Sequence, residues 1–255
     1  MTLQIVTIPC LSDNYAYLAH DPATGATAAV DVPEAAPIIA ELKTQGWTLS
    51  DVLLTHHHAD HVQGLPDLLA FAPARVVGAA ADAHRLPPLD IAIAEGDTVR
   101  IGREQGRAID VSGHTVGHVA FHFPQSDAVF TADSLMALGC GRVFEGTMPQ
   151  MHESLAKLAT LPPETVVYSG HEYTLNNAKF ALTVDPDNPR LKSRIKEIDA
   201  KRATGKPTVP STLAEELATN PFLRASDPDI QSHLGMTGAA PEMVFAEIRA
   251  RKDRF

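Results

Sequence analysis

Cysteine is nearly absent from this chain: 255 residues hold two, Cys10 and Cys140. Two thiols make no disulfide framework, and their scarcity points to a reducing cytoplasm. Long hydrophobic runs are missing as well. No apolar stretch approaches the roughly 20 residues that a helix needs to cross a bilayer, so no membrane partner is expected. The opening stretch, Met1 to Val6, lacks the basic region and small-residue cleavage site of a signal peptide and reads as a first strand. Positive charge is in deficit: 21 Lys and Arg stand against 31 Asp and Glu, a formal charge of −10. A field of that sign repels phosphate backbones and sets nucleic acid aside as a partner. It does not exclude a metalloenzyme, whose cations offset part of the charge. Nothing in the chain calls for an obligate protein partner.

What is present is ordinary in amount, with 44% apolar and 20% charged residues, the balance of a soluble globular protein. The length allows one large core, or one core with a small appendage. Short apolar stretches broken by turn residues (Leu3 to Ile8, Tyr15 to Leu18, Ala26 to Val32) predict successive strands. Pro33 to Gly46 predicts a helix closed by a glycine, and Asp51 to Leu54 a buried strand. Leu65, Leu68 and Leu69 predict a further helix. Strands are expected at Arg75 to Gly78, Ala108 to Val111, Val119 to Phe123, Ala128 to Thr131 and Val166 to Tyr168, with a helix over Ser154 to Leu161. Mixed strands and helices imply a layered α/β or α+β domain. After Tyr173 no strand is evident. Helices are expected around Leu191, Ile195 and Ile198, over Leu213 to Ala218 behind a Thr212/Glu215 capping box, and over Pro241 to Lys252. A boundary near 174 therefore separates a catalytic domain, 1–173, from a small all-helical domain, 174–255.

The chemistry concentrates in Thr55-His56-His57-His58-Ala59-Asp60-His61, directly after the apolar run Val52 to Leu54. Three more ligand-type residues also follow short strands: His114, Asp133 and His171. Loops at strand ends are where sheet proteins build sites. His56, His58, Asp60, His61, His114, Asp133 and His171 exceed the four ligands of one structural zinc, which usually includes cysteine. They fit two ions with Asp133 bridging. Histidine and carboxylate donors suit zinc, iron or manganese. A lone histidine after a strand is usually a loop residue, but His-x-His-x-Asp-His is an improbable accident even with 12 histidines. His57 is expected to point away and His118 to hold its turn. His20, His84, His122, His152 and His233 have no such context. Cys140 has no neighbouring base and reads as a packed residue, not a nucleophile.

Thr55 to His61, Gly113-His114-Thr115-Val116-Gly117-His118, Asp133 and His171 resemble the metallo-β-lactamase fold superfamily. The resemblance implies an α+β fold, an αββα sandwich, and leaves the substrate open. Gly139 to Thr147, Gly170 to Asn177, Val209 to Glu216, Asn220 to Arg224 and Arg249 to Asp253 are similar to the glyoxalase II family, the hydroxyacylglutathione hydrolases. That likeness runs nearly end to end. It implies His56, His58 and His114 on one divalent ion, Asp60, His61 and His171 on the other, and Asp133 bridging, with zinc the first choice of metal. Asp60 and Asp133 would be the catalytic carboxylates. The substrate would be a glutathione thioester gripped by Arg142, Phe144, Tyr173, Asn177, Arg249 and Lys252. Arg142 stands where relatives often have lysine, which keeps the charge; Phe144 stands where many have tyrosine, which removes a hydroxyl. By spacing alone Arg249 and Lys252 share one helix face and would be an ordinary basic helix end. The implied reaction is hydrolysis of S-2-hydroxyacylglutathione, typically S-D-lactoylglutathione. The rivals are an iron oxidoreductase of the persulfide dioxygenase kind, another hydrolase of the same fold, and a non-catalytic metal-binding protein.

Overall fold

A computed structural model describes residues 2–255, in which the chain forms two compact units. The first takes in the chain up to Val111 together with Val116–Thr131; the second is Ser112–Thr115 with Ala132–Phe255.

The first unit opens with strands β1 (Gln4–Cys10), β2 (Asn14–His20) and β3 (Ala26–Val30) in an antiparallel meander. Every residue of β2 is buried, as expected of an inner strand covered on both faces. Helix α1 (Ala35–Gln45) then carries the chain over to β4 (Thr48–Leu53), which lies parallel to β3. Gly46 closes α1 at φ 68°, its N–H reaching the Leu42 and Lys43 carbonyls, the C-terminal stop that the glycine predicted. The short helices α2 (Ala59–Val62) and α3 (Leu65–Phe71) lead to β5 (Arg75–Ala79), and β6 (Ile91–Ile93) completes a six-stranded sheet in the order β1 to β6. Ile38 and Leu42 of α1 and Leu65 and Leu68 of α3 are buried in one cluster with Leu18 and Val52 of that sheet and with Leu54 just past β4. Strands β7 (Thr98–Ile101), β8 (Glu104–Asp110), β9 (Val119–Phe123) and β10 (Ala128–Ala132) form an antiparallel run. Tyr17 of β2 meets Phe130 of β10 with ring centroids 5.6 Å apart, so the two sheets share a core. Strands β6 and β7 went unpredicted because three or four residues are too few to show alternation.

The second unit holds a hairpin of β11 (Leu135–Met136) and β12 (Gly139–Cys140), helix α4 (Met148–Ala159) and strand β13 (Val166–Ser169). Helix α4 begins six residues before the predicted Ser154, because Thr147 accepts from the Gln150 N–H and a proline sits in the first turn. Then follow α5 (Thr174–Val184), α6 (Pro189–Ala203), β14 (Ser211–Thr212), α7 (Leu213–Thr219), α8 (Pro228–Leu234) and α9 (Pro241–Asp253). The predicted capping box is present, Thr212 and Glu215 each bonding the other's backbone. The tail is not wholly helical: β14 pairs antiparallel with β13. Two residues made regular by a partner carry no pattern of their own. Among the described residues no helix is long and apolar enough to cross a membrane.

Candidate metal centre

In the first unit the histidine loop follows β4, and Asp31 follows its parallel neighbour β3, with Val30 and Leu53 paired at the ends. Asp31 is buried and organises what comes next. Its carboxylate accepts from the Thr55 N–H at 2.9 Å, the Thr55 hydroxyl at 2.8 Å and His61 Nδ1 at 2.8 Å. A carboxylate accepts, so His61 carries its proton on Nδ1 and offers the Nε2 lone pair, 3.8 Å from Asp60 Oδ2. Thr55 spends its one hydroxyl proton on Asp31. Its oxygen must then accept from His56 Nδ1 at 3.0 Å, which leaves the His56 Nε2 lone pair directed at His58 Nδ1, 3.1 Å away. One aspartate thus sets the tautomer of two predicted ligands, as outer-shell partners of metal-bound histidines do.

Two further side chains hold this loop. Asn14 Nδ2 donates to the Asp60 backbone and side chain, each at 3.0 Å. His57 Nδ1 lies 2.8 Å from Asp82 Oδ2, so His57 is committed to a structural pair, as its expected outward direction requires. His118 is buried and stacks on His56 at 4.6 Å. Asp31, Asp82 and Asn14 were missed as functional residues. Asp31 obeys the rule that singled out Asp133, an acid just after a short apolar strand, but the predicted strand from Ala26 to Val32 swallowed it.

The second unit brings together the other three predicted ligands. His114 Nε2 and His171 Nε2 lie 3.4 and 3.3 Å from the same oxygen, Oδ2 of Asp133. His114 Nδ1 is 2.7 Å from the Arg142 carbonyl, which can only accept. A proton therefore sits on Nδ1, and Nε2 is the ring nitrogen turned to the carboxylate oxygen. A nitrogen lone pair and a carboxylate oxygen at that distance need a cation between them, a proton or a metal ion. This donor set, all nitrogen and oxygen with the outer nitrogen of His114 anchored, fits a zinc-, iron- or manganese-type ion.

Around these ligands lie the residues predicted for substrate. Tyr173 stacks flat on His171 at 4.6 Å, and Phe144 tilts against His114 at 5.3 Å. Both remain open, at 41% and 62% exposure. Lys252 and Arg249 sit on α9 as the spacing required. Burial pulls the Lys252 ammonium down to about 8, and the charges of Arg249 and Arg142 push the same way. Arg249 is buried: its Nη1 donates to the Cys140 carbonyl at 2.9 Å and its Nη2 pairs with Asp253 at 2.9 Å. Asn177 Nδ2 donates to the Ala137 carbonyl at 3.1 Å. Arg142 is exposed, 3.6 Å from Asp253. Lys252 thus lies in a cationic cluster within a protein acidic overall. The thiol of Cys140 is buried and raised to about 11 by that burial, which suits a packed residue.

Comparison with known proteins places both parts of the chain. The family model of the metallo-beta-lactamase superfamily matches residues 21–171, and that of the hydroxyacylglutathione hydrolase C-terminus matches residues 172–255. A hydroxyacylglutathione hydrolase of Jannaschia sp. (strain CCS1) is 69% identical over 99% of this chain and 98% of its own length. One from Ruegeria pomeroyi is 66% identical, with both chains covered completely. Among solved structures, that of ETHE1 from Myxococcus xanthus superposes with a TM-score of 0.64 at 26% identity, covering 99% of this chain and 98% of the other.

Proposed function

The chain belongs to the hydroxyacylglutathione hydrolases of the metallo-beta-lactamase superfamily, and from that membership we propose how its residues divide the work of cleaving a glutathione thioester. The substrate is an S-2-hydroxyacylglutathione, with S-D-lactoylglutathione as the type case, and the products are glutathione and the 2-hydroxy acid. His56, His58 and His114 would hold one divalent ion and Asp60, His61 and His171 a second, with Asp133 available to both. Zinc is the first choice. Such a pair supplies hydroxide at neutral pH, by lowering the pKa of bound water from ~15.7 toward ~7, and polarises a carbonyl oxygen.

The protein's own groups do the rest. Asp60, steadied by Asn14, takes the proton of the attacking water. The departing thiolate belongs to a thiol of pKa near ~8.5 and leaves without a strong acid, so no further general acid is needed. Residues 174–255 form the substrate-binding domain. Glutathione carries two carboxylates, and Lys252 with Arg142 supplies the opposing charge. Tyr173 and Phe144 offer open ring faces beside His171 and His114.

One observation carries this reading: the match to the hydroxyacylglutathione hydrolase C-terminus covers 172–255, the segment that contains Lys252. The test is turnover of S-D-lactoylglutathione by purified, metal-loaded protein, with metal content measured on the same sample. Thioester loss at about two ions per chain is expected. An intact thioester alongside cleavage of other esters or lactones would sink the assignment.

A further inference from the structure

The segment from Asp133 to Arg142 is a hairpin with a proposed metal ligand at one end and a substrate-side arginine at the other. Several of its carbonyls are in use. That of Arg142 fixes the His114 tautomer, that of Cys140 holds Arg249, and that of Ala137 holds Asn177. There is little slack. A Cβ on Gly141 would lie 2.0 Å from the Asp133 carbonyl oxygen and 2.9 Å from His114 Nδ1, so any shift of the hairpin reaches the ligands.

The hairpin is held from the helices. Leu138 at its turn adopts φ 56°, a conformation that a non-glycine residue keeps only when its surroundings enforce it. Its side chain is buried with Ala178 and Ala181 of α5 and Leu191 and Ile198 of α6. Its N–H donates to Glu216 Oε2 at 2.9 Å. Glu216 is wholly buried and receives three more donors: Ser211 Oγ at 2.6 Å, Asn220 Nδ2 at 3.0 Å and the Arg194 guanidinium. Asn220 Nδ2 also reaches the carbonyls of Met136 at 3.1 Å and Gly139 at 2.9 Å, one on each hairpin strand. A buried carboxylate persists only when its charge is paired and its lone pairs are filled. Glu216 meets both conditions, yet it is neither a proposed ligand nor part of the proposed grip.

We propose that Glu216 and Asn220 are positioning residues for hydrolysis: they fix the 133–142 hairpin so that Asp133 and the Arg142 carbonyl meet the metal-binding histidines correctly. The proposal rests on the reading of Asp133 as a metal ligand. The helical region then serves the metal centre as well as the substrate.

The test uses the full-length chain. Asn220→Ser keeps an oxygen to cap the following turn, where Asn220 Oδ1 now accepts from the Phe222 N–H, but it removes the donor to the hairpin. Glu216→Gln keeps the shape and removes the charge. Zinc affinity is measured by chelator competition and ligand geometry by the absorption of the cobalt(II) form. Each folded variant is expected to bind zinc about tenfold more weakly, in line with the loss of an outer-shell partner. Its cobalt(II) bands should change and kcat should fall, while KM stays within about twofold. A folded Asn220→Ser with zinc affinity, cobalt(II) bands and kcat within about twofold of the parent overturns the proposal. Failure of the parent itself to bind zinc or cleave the thioester would overturn instead the reading of the site. If neither variant folds, hydrogen exchange on the metal-stripped parent decides. Protection of the Leu138 amide equal to that of the α5 core supports a brace independent of metal, and exchange at the rate of open backbone overturns it.

Discussion

A single ammonium shows how far one residue can be argued from its surroundings. The Lys252 ammonium has the Asn176 carbonyl at 3.2 Å, the rings of Phe180 and Phe255 near 5 Å, and Arg249 and Arg142 as like charges; Asp253 is the carboxylate shared by those two arginines. Burial first and the two arginines second lower it from 10.5 to about 8. Its charge is therefore present below about pH 8 and fades above it. A carboxylate substrate binds only the charged form, so KM should rise as pH climbs through about 8 while kcat, which reports the occupied enzyme, stays flat there. Lys252→Arg should erase that inflection, because guanidinium keeps its proton. Lys252→Ala should raise KM far more than it lowers kcat. A KM left unchanged by the alanine removes Lys252 from the site. Asp31 is the residue-scale counterpart on the metal side. Asp31→Asn turns an amide NH2 toward groups that all donate, so zinc affinity should fall by about 10- to 100-fold in chelator titrations. The ligand histidines were legible because their spacing is itself the signal. The aspartate that sets two of their tautomers was not, since its role lies in a hydrogen bond to a residue 30 positions away.

Elements were legible where chemistry punctuates them. Gly46 ended α1 as predicted, and Thr212 with Glu215 opened α7. Two of the strand pairings that escaped prediction depend on a partner: β14 exists because β13 lies beside it, and the β11–β12 hairpin is held by Asn220 from more than 80 residues away. A local pattern cannot carry that information. The division of labour gives a contrast between two substitutions. Thr212→Ala removes a helix cap and should cost about 1 kcal/mol, or roughly 2–4 °C in the thermal midpoint for a chain of this size, with kcat/KM unchanged. Gly141→Ala places a methyl group against the Asp133 backbone and should cost about 1–3 kcal/mol by overpacking, with metal content falling as well. Equal metal content in the two variants would mean that the hairpin has more freedom than its contacts imply.

At the scale of the whole molecule, a layered α/β or α+β domain followed from mixing strands with helices, whereas the α+β class and the reaction followed from the family that the motifs and the tail resemble. Metal and fold should also be inseparable in the energetics. The chain carries a formal charge of −10, and its second unit sets the His114 and His171 ring nitrogens against one carboxylate oxygen of Asp133 at 3.4 and 3.3 Å. Without a metal ion these groups face one another only by repelling or by taking up protons, and the folded state lacks the stabilisation that the ion supplies. An ion that binds only the folded chain stabilises it by mass action, about 4 kcal/mol when free metal exceeds its Kd by roughly a thousandfold. At roughly 2–4 °C per kcal/mol, stripping the metals should lower the thermal midpoint by about 10 °C, and added zinc should restore it. The shift should shrink in Asp31→Asn, whose weaker binding leaves less to remove. A midpoint that ignores both chelator and zinc would show that the facing groups are tolerated without a metal ion, and the physical ground for a metal centre would be gone.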